Sequence, residues 1–114
     1  MTGKINLEFK NNILYVRVVG DLDHHSSQII RKKVEPIIDE YQIVNVVFNL
    51  ENVTFIDSSG IGVILGRYKQ VVKHGGQVVV CNLSPHIERL FKMSAIFDII
   101  SQVKNEESAM VLLG

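Results

Sequence analysis

Residues 43–81 read IVNVVFNLENVTFIDSSGIGVILGRYKQVVKHGGQVVVC, and this stretch decides the fold. Ile43–Leu50 is short and almost continuously apolar, the pattern of a central strand covered on both faces. Glu51-Asn52 offers a turn, after which Val53–Ile56 leads into Asp57-Ser58-Ser59-Gly60. Ile61, Leu65, Tyr68 and Val72 then recur at spacings of four, three and four, a helical stripe. His74-Gly75-Gly76 stops that helix, with glycine available for a left-handed cap, and Gln77–Cys81 is another buried strand. A helix between two buried strands predicts a largely parallel or mixed sheet covered by helices.

The flanks extend the same alternation. Lys4–Lys10 places Ile5, Leu7 and Phe9 on one side, a half-buried strand. Asn11-Asn12 supplies hairpin turn chemistry without the usual Gly, and Ile13–Val19 is the second strand, closed by Gly20-Asp21-Leu22-Asp23. From about His24, Ile30, Val34, Ile37, Ile38 and Tyr41 form a helical stripe that Asp23 or Ser26 could cap. Pro36 lies inside it and removes a backbone donor, which predicts a kink or a break near Lys33–Pro36. Further on, Ser84-Pro85 starts a short helix carrying Ile87, Leu90 and Phe91. Phe97–Ser101 reads as the last strand, and Asn105-Glu106-Glu107 starts a final helix through Met110 and Leu113. The expected architecture is one α/β domain over residues 1–114, a mixed, mostly parallel sheet of four to five strands covered by about four helices.

At 114 residues there is room for one core. Twelve basic residues balance twelve acidic ones, which argues against nucleic acid or an anionic membrane surface as a partner. No apolar run approaches the roughly 20 residues of a membrane helix. Met1-Thr2-Gly3-Lys4 opens no apolar leader, and the expected location is the cytoplasm. Cys81, the only cysteine, ends the apolar run Val78–Cys81 and reads as a small buried hydrophobe.

Phe55-Ile56-Asp57-Ser58-Ser59-Gly60-Ile61-Gly62 holds the chemistry. It sets two hydroxyls and a carboxylate where a buried segment turns into a helix, and a helix start favours negative charge. Such a place accommodates a phosphate, bound or attached to a serine. The plainer alternative makes Asp57 or Ser58 an N-cap and the glycines packing devices. Gly60, Gly62 and Gly66 are expected to leave one helix face bare. Enzyme motifs fail here. Ile56 and Asp57 stand two places before the serines where a nucleophile elbow needs Gly, and Leu65 replaces the third Gly of a dinucleotide fingerprint. Gly66-Arg67-Tyr68 does not make a P-loop. No catalytic residue is expected. Asp21, Asp23, His24 and His25 cluster at a strand end, but adjacent histidines rarely face one ion, so no metal site is expected. Asp23 reads as a cap whose carboxylate could also receive an Arg from a partner.

Asp21-Leu22-Asp23-His24-His25, Asn49-Leu50, and the run from Phe55 through Lys69 resemble the bacterial anti-anti-sigma factors, which are STAS domains. Val79-Val80-Cys81 and Ser84-Pro85 ahead of Arg89-Leu90-Phe91 extend the resemblance over the whole chain. It is greatest to members from spore-forming bacilli. The resemblance implies a non-enzymatic regulator. Its unphosphorylated form would bind an anti-sigma factor that is also a serine kinase, releasing a sigma factor for sporulation transcription. That kinase would phosphorylate the first serine of Asp-Ser-Ser-Gly, here Ser58, and a PP2C-type serine phosphatase would reverse it. ATP would belong to the kinase, leaving this chain without a cofactor. Around Ser58, the expected partner-binding residues are Asp21, Asp23, His24, Asp57, Ser59, Gly60, Ile61 and Gly62. Asp23→Ala is expected to weaken binding and leave the fold intact. The alternative is a STAS scaffold protein in a stress-response assembly.

Overall fold

Asn11 and Asn12 both take positive φ, 53° and 63°, so the hairpin between Lys4–Lys10 (β1) and Ile13–Leu22 (β2) closes on two left-handed residues without glycine. Asn tolerates that region because its short amide bonds the local backbone. The computed structural model describes residues 4–114; Met1, Thr2 and Gly3, which the sequence reading takes into the domain, lie outside the described residues. After β2 come α1 (His24–Tyr41), β3 (Asn45–Ile56), α2 (Ser58–Val72), β4 (Gln77–Cys81), α3 (Pro85–Met93), β5 (Ser101–Val103) and α4 (Glu106–Leu113). The sheet order is β1-β2-β3-β4-β5. Only the first pair is antiparallel, so the sheet is mixed and mostly parallel, as expected.

Two core layers explain why the central strands read as apolar runs. One face of the sheet carries Leu14, Val16, Val46, Phe48, Val78 and Val80 against Ile30 and Val34 of α1, Ile64 and Val71 of α2, and Ile87 and Phe91 of α3. The other carries Ile13, Tyr15, Val47, Val79 and Cys81 against Ala109 of α4. Strands buried on both sides have no polar face to alternate with. Cys81 is a buried free thiol, and burial pushes its pKa up to about 12.

Four local expectations are corrected. β2 runs on through Gly20-Asp21 to Leu22. Glu51-Asn52 is no turn. β3 continues to Ile56, and its register slips twice against β2: Arg17↔Asn49 is followed by Val19↔Asn52, and Gly20↔Val53 by Asp21↔Phe55. Each slip places one extra residue in β3, the signature of a bulge, which absorbs polar residues without ending the ladder. α1 runs through Pro36 as one helix, so the expected interruption is not a break. Pro36 is exposed, as is Lys32, whose freed carbonyl water can reach, while Val34 and Ile38 anchor both halves in the core. Gln70 of α2 also reaches across, donating to the Glu35 carbonyl at 2.8 Å and to Asp39 at 2.9 Å. Finally, β5 is Ser101–Val103, because Ile96–Asp98 winds into a 3-10 turn. That turn buries Ile96 and Ile100 on the same side of the sheet as α3.

A fork-to-carboxylate pair pins α4 to the sheet. Arg17 donates to both oxygens of Glu106 at 2.8 Å, and Asn49 donates to Glu106 Oε2 at 2.8 Å. The Arg17 hydrogen bonds hold the Glu106 carboxyl below the usual carboxylate range. A lowered folded-state pKa contributes stability above the unfolded value and loses it as pH falls through the folded one. Urea midpoints are therefore expected to drop between about pH 5 and about pH 3, and to drop less in Arg17→Met. Equal losses in both proteins would remove this pair from the acid response.

Candidate functional site at the ends of two parallel strands

β2 and β3 are parallel, so their C-terminal ends meet at one edge, where the starts of α1 and α2 also lie. Leu22 pairs with Ile56, and the Asp57 N–H donates to the Leu22 carbonyl at 3.3 Å. The two helices begin alike, each capped by an aspartate in extended backbone. Asp23 Oδ1 accepts from the Ser26 N–H at 3.0 Å, and the Asp23 N–H donates to Ser26 Oγ at 2.9 Å, a reciprocal box. Asp57 Oδ1 accepts from the N–H groups of Ser59 at 2.9 Å and Gly60 at 3.2 Å. The Ser26 backbone bond, chiefly, holds the Asp23 carboxyl below its ordinary range.

These caps settle which residues the backbone uses. Asp57 caps α2, which leaves Ser58 as its exposed first residue. Asp23 caps α1, so Asp23→Ala is expected to cost about 0.5–2 kcal/mol of stability. The fold is kept, but this variant loses a cap together with a charge.

The residues singled out in the sequence come together on this edge. Asp21, at the end of β2, accepts from Thr54 Oγ1 at 3.2 Å. His24 opens α1 with Nδ1 3.5 Å from Ser59 Oγ and Nε2 3.1 Å from Gln28. Ser59 and Ile61 are half-buried, and Ile61 packs on the core. Gly60 and Gly62 part company. A Cβ on Gly60 would stand 2.5 Å from the Leu22 carbonyl oxygen, whereas one on Gly62 or Gly66 meets nothing within 4 Å. Gly60 therefore belongs to the join between α2 and β2, and the bare helix face is made by Gly62 and Gly66 alone.

The lead-in to the motif is also more open than expected. Thr54 and Phe55 are exposed, Phe55 by 48%, beside the Asp21 carboxylate. Sequence periodicity missed this because the two bulges in β3 shift the alternation by which inward and outward residues are told apart. Among the described residues no group of three or more His, Cys, Asp and Glu could hold a metal ion. No described helix is long and apolar enough to cross a membrane.

Comparison with known proteins places this edge in context. The sequence model of the STAS domain matches residues 4–109. The chain is 41% identical over 113 residues to the anti-sigma F factor antagonist of Paenibacillus polymyxa, covering 99% of this chain and 97% of that protein. Among solved structures it is similar to the anti-sigma factor antagonist SpoIIAA in its unphosphorylated form. There the TM-score is 0.76 and the identity 30%, over 94% of each chain. It is equally similar to the Bacillus cell fate determinant SpoIIAA in the phosphorylated form. That comparison gives a TM-score of 0.77 at 28% identity, over 96% of this chain and 99% of that one.

Proposed function

The chain belongs to the STAS domain family, and on that premise we propose that it is an anti-sigma factor antagonist switched by phosphorylation of Ser58. Unphosphorylated, it binds an anti-sigma factor that is also a serine kinase and frees the sigma factor for sporulation transcription. The kinase transfers the γ-phosphoryl of its own bound ATP to Ser58 Oγ, with loss of the hydroxyl proton, and the complex dissociates. A PP2C-type serine phosphatase hydrolyses the phosphoester and restores binding.

One observation carries this reading: Ser58 is exposed at the first position of α2, and the neighbouring Asp57 does the capping. A kinase can therefore take the hydroxyl without unmaking the helix start. The added group carries about −1.5 to −2 charges, and the positive end of α2 favours it there. Asp57 already takes the N–H groups of Ser59 and Gly60. The phosphate consequently leans on water and the helix field and leaves two anionic groups side by side on the surface. The matching TM-scores to both forms of SpoIIAA, 0.76 and 0.77, agree with a modification that alters a surface and leaves the fold alone.

Asp21, Asp23, His24, Asp57, Ser59, Gly60, Ile61 and Gly62 surround Ser58 as the binding edge, with Gly60 acting through the backbone join. Asp23→Asn separates the roles of this side chain, since Asn caps a helix as well as Asp but carries no charge. It is expected to keep its thermal midpoint and to bind the anti-sigma factor about tenfold more weakly, through loss of a partner Arg. Unchanged affinity by calorimetry would take the Asp23 charge out of the interface.

The switch itself is tested by intact mass after incubation with the anti-sigma kinase and Mg-ATP, with the modified residue mapped. One phosphate on Ser58 is expected. No phosphate from an active kinase would overturn the switch and favour the stress-response scaffold.

A further inference from the structure

Beside the Ser58 edge, α1 and α2 enclose a groove of about 460 Å³, lined by Ser27, Arg31 and Glu35 on one side and by Gly62, Gly66 and Arg67 on the other. His24 and Ser59 line it as well, which makes it continuous with the proposed binding edge.

Two independent features of this groove have no use within the chain. The first is a pair of glycines four residues apart in the interior of a helix, where glycine is a poor helix former. Packing does not call for them, since a Cβ at Gly62 or Gly66 meets nothing within 4 Å. The second is a set of buried donors. Ser27 and Arg67 are only 6% and 4% exposed, yet Ser27 Oγ and Arg67 Nε and Nη1 have no hydrogen-bond partner among the described residues. Arg67 uses only Nη2, which donates to Glu35 Oε2 at 3.1 Å. Buried polar groups are almost always paired, and these three atoms lie beneath the groove surface, so the Arg67 charge under the glycine face is only partly compensated by Glu35. The charged lining is two guanidinium groups, Arg31 and Arg67, against the single Glu35 carboxylate, with His24 at the end. Its complement is an anion.

We propose that this groove seats a narrow, carboxylate-bearing segment of the anti-sigma factor. The segment's backbone lies along Gly62 and Gly66, and its carboxylate pairs with the exposed Arg31 guanidinium, in the field of the Arg67 charge below. The inference rests on the antagonist reading and adds a second contact, one that holds the partner in place and does not itself carry the switch. Phosphorylation at Ser58 then acts at the edge and leaves the groove contact untouched.

The test is calorimetric titration of the purified anti-sigma factor into wild type, Gly66→Leu and Arg31→Glu, with thermal midpoints measured alongside. Leu is a better helix former than Gly, so the midpoint of Gly66→Leu is expected to hold or rise while Kd rises about tenfold or more. Arg31 has a side chain 69% exposed and only a long i,i+4 pair with Glu35 at 3.8 Å, so Arg31→Glu is expected to lower the midpoint slightly and to raise Kd about tenfold by reversing a charge in the groove. Wild-type binding with both variants within about twofold of it would overturn the groove and leave the Ser58 switch standing. A wild-type chain that fails to bind the anti-sigma factor at all would overturn the antagonist reading and the groove with it.

Discussion

Ser58→Asp is expected to abolish binding of the anti-sigma factor while holding or slightly raising the thermal midpoint of the free chain. The two effects come from the same charge. On the free surface a carboxylate in the first turn of α2 sits in the field of the helix start, worth about 0.3–1 kcal/mol. In a complex the same carboxylate stands beside Asp57 with water removed, and like charges brought together in an interface cost several kcal/mol. A penalty of about 3 kcal/mol is already more than a hundredfold in Kd. Ser58→Ala should bind like wild type and take no phosphate, since the cap belongs to Asp57. Titration of both variants against the anti-sigma factor checks the pair. A Ser58→Asp chain that binds as tightly as wild type would show that charge at this position is not what separates the partners.

Gly60→Ala carries the largest expected effect on the fold. Its Cβ would stand 2.5 Å from the Leu22 carbonyl oxygen, 2.7 Å from Ile56 Cγ1 and 2.8 Å from Leu22 Cγ. The first of these is backbone, inside the parallel β2–β3 pair, and cannot swing aside. Relief requires α2 to lift from the strand ends, at about 1–3 kcal/mol. For a domain of this size each kcal/mol lowers the midpoint by roughly 4 °C. Gly62→Ala, two residues on and facing open space, is expected to raise the midpoint, because Ala is the better helix former. A thermal melt of the two variants side by side decides this, and equal midpoints would remove the steric account. Neighbouring glycines in one motif thus serve opposite partners: one the chain's own sheet, the other a surface left clear.

That division was not legible in the sequence, where Gly60, Gly62 and Gly66 look alike. Facing direction on a helix is decided by what the helix packs on, and α2 meets the end of β2 only through pairing between strands distant in sequence. By contrast, the helix-linked strands from β3 to β4 were legible, because both are buried on two faces and their apolar runs carry the signal locally. The misreadings have the same root. Glu51-Asn52 looks like a turn because exposed polar residues in a bulge have turn composition, and only the partner strand reveals the continued ladder. Phe97 to Ser101 looks like a strand because Phe97, Ile99 and Ile100 are apolar, whereas a 3-10 turn at Ile96–Asp98 buries Ile96 and Ile100 on one side. Pro36 was read from its own chemistry, without the buried Val34 and Ile38 that hold the helix together around it. At the site, Ser58 and the neighbouring aspartates stand out by residue type. That the aspartates and not the serines cap the two helices follows only from the geometry.

The order of strands across the sheet is their order along the chain, β1 to β5. A nascent chain can therefore lay down the sheet from one edge in the direction of synthesis, each strand finding its neighbour already made. One surface has to wait. Tyr15, Val47, Val79 and Cys81 are roofed by Ala109 of α4, the last element to appear. Until residues 106–113 dock, that side of the sheet is an apolar face open to water.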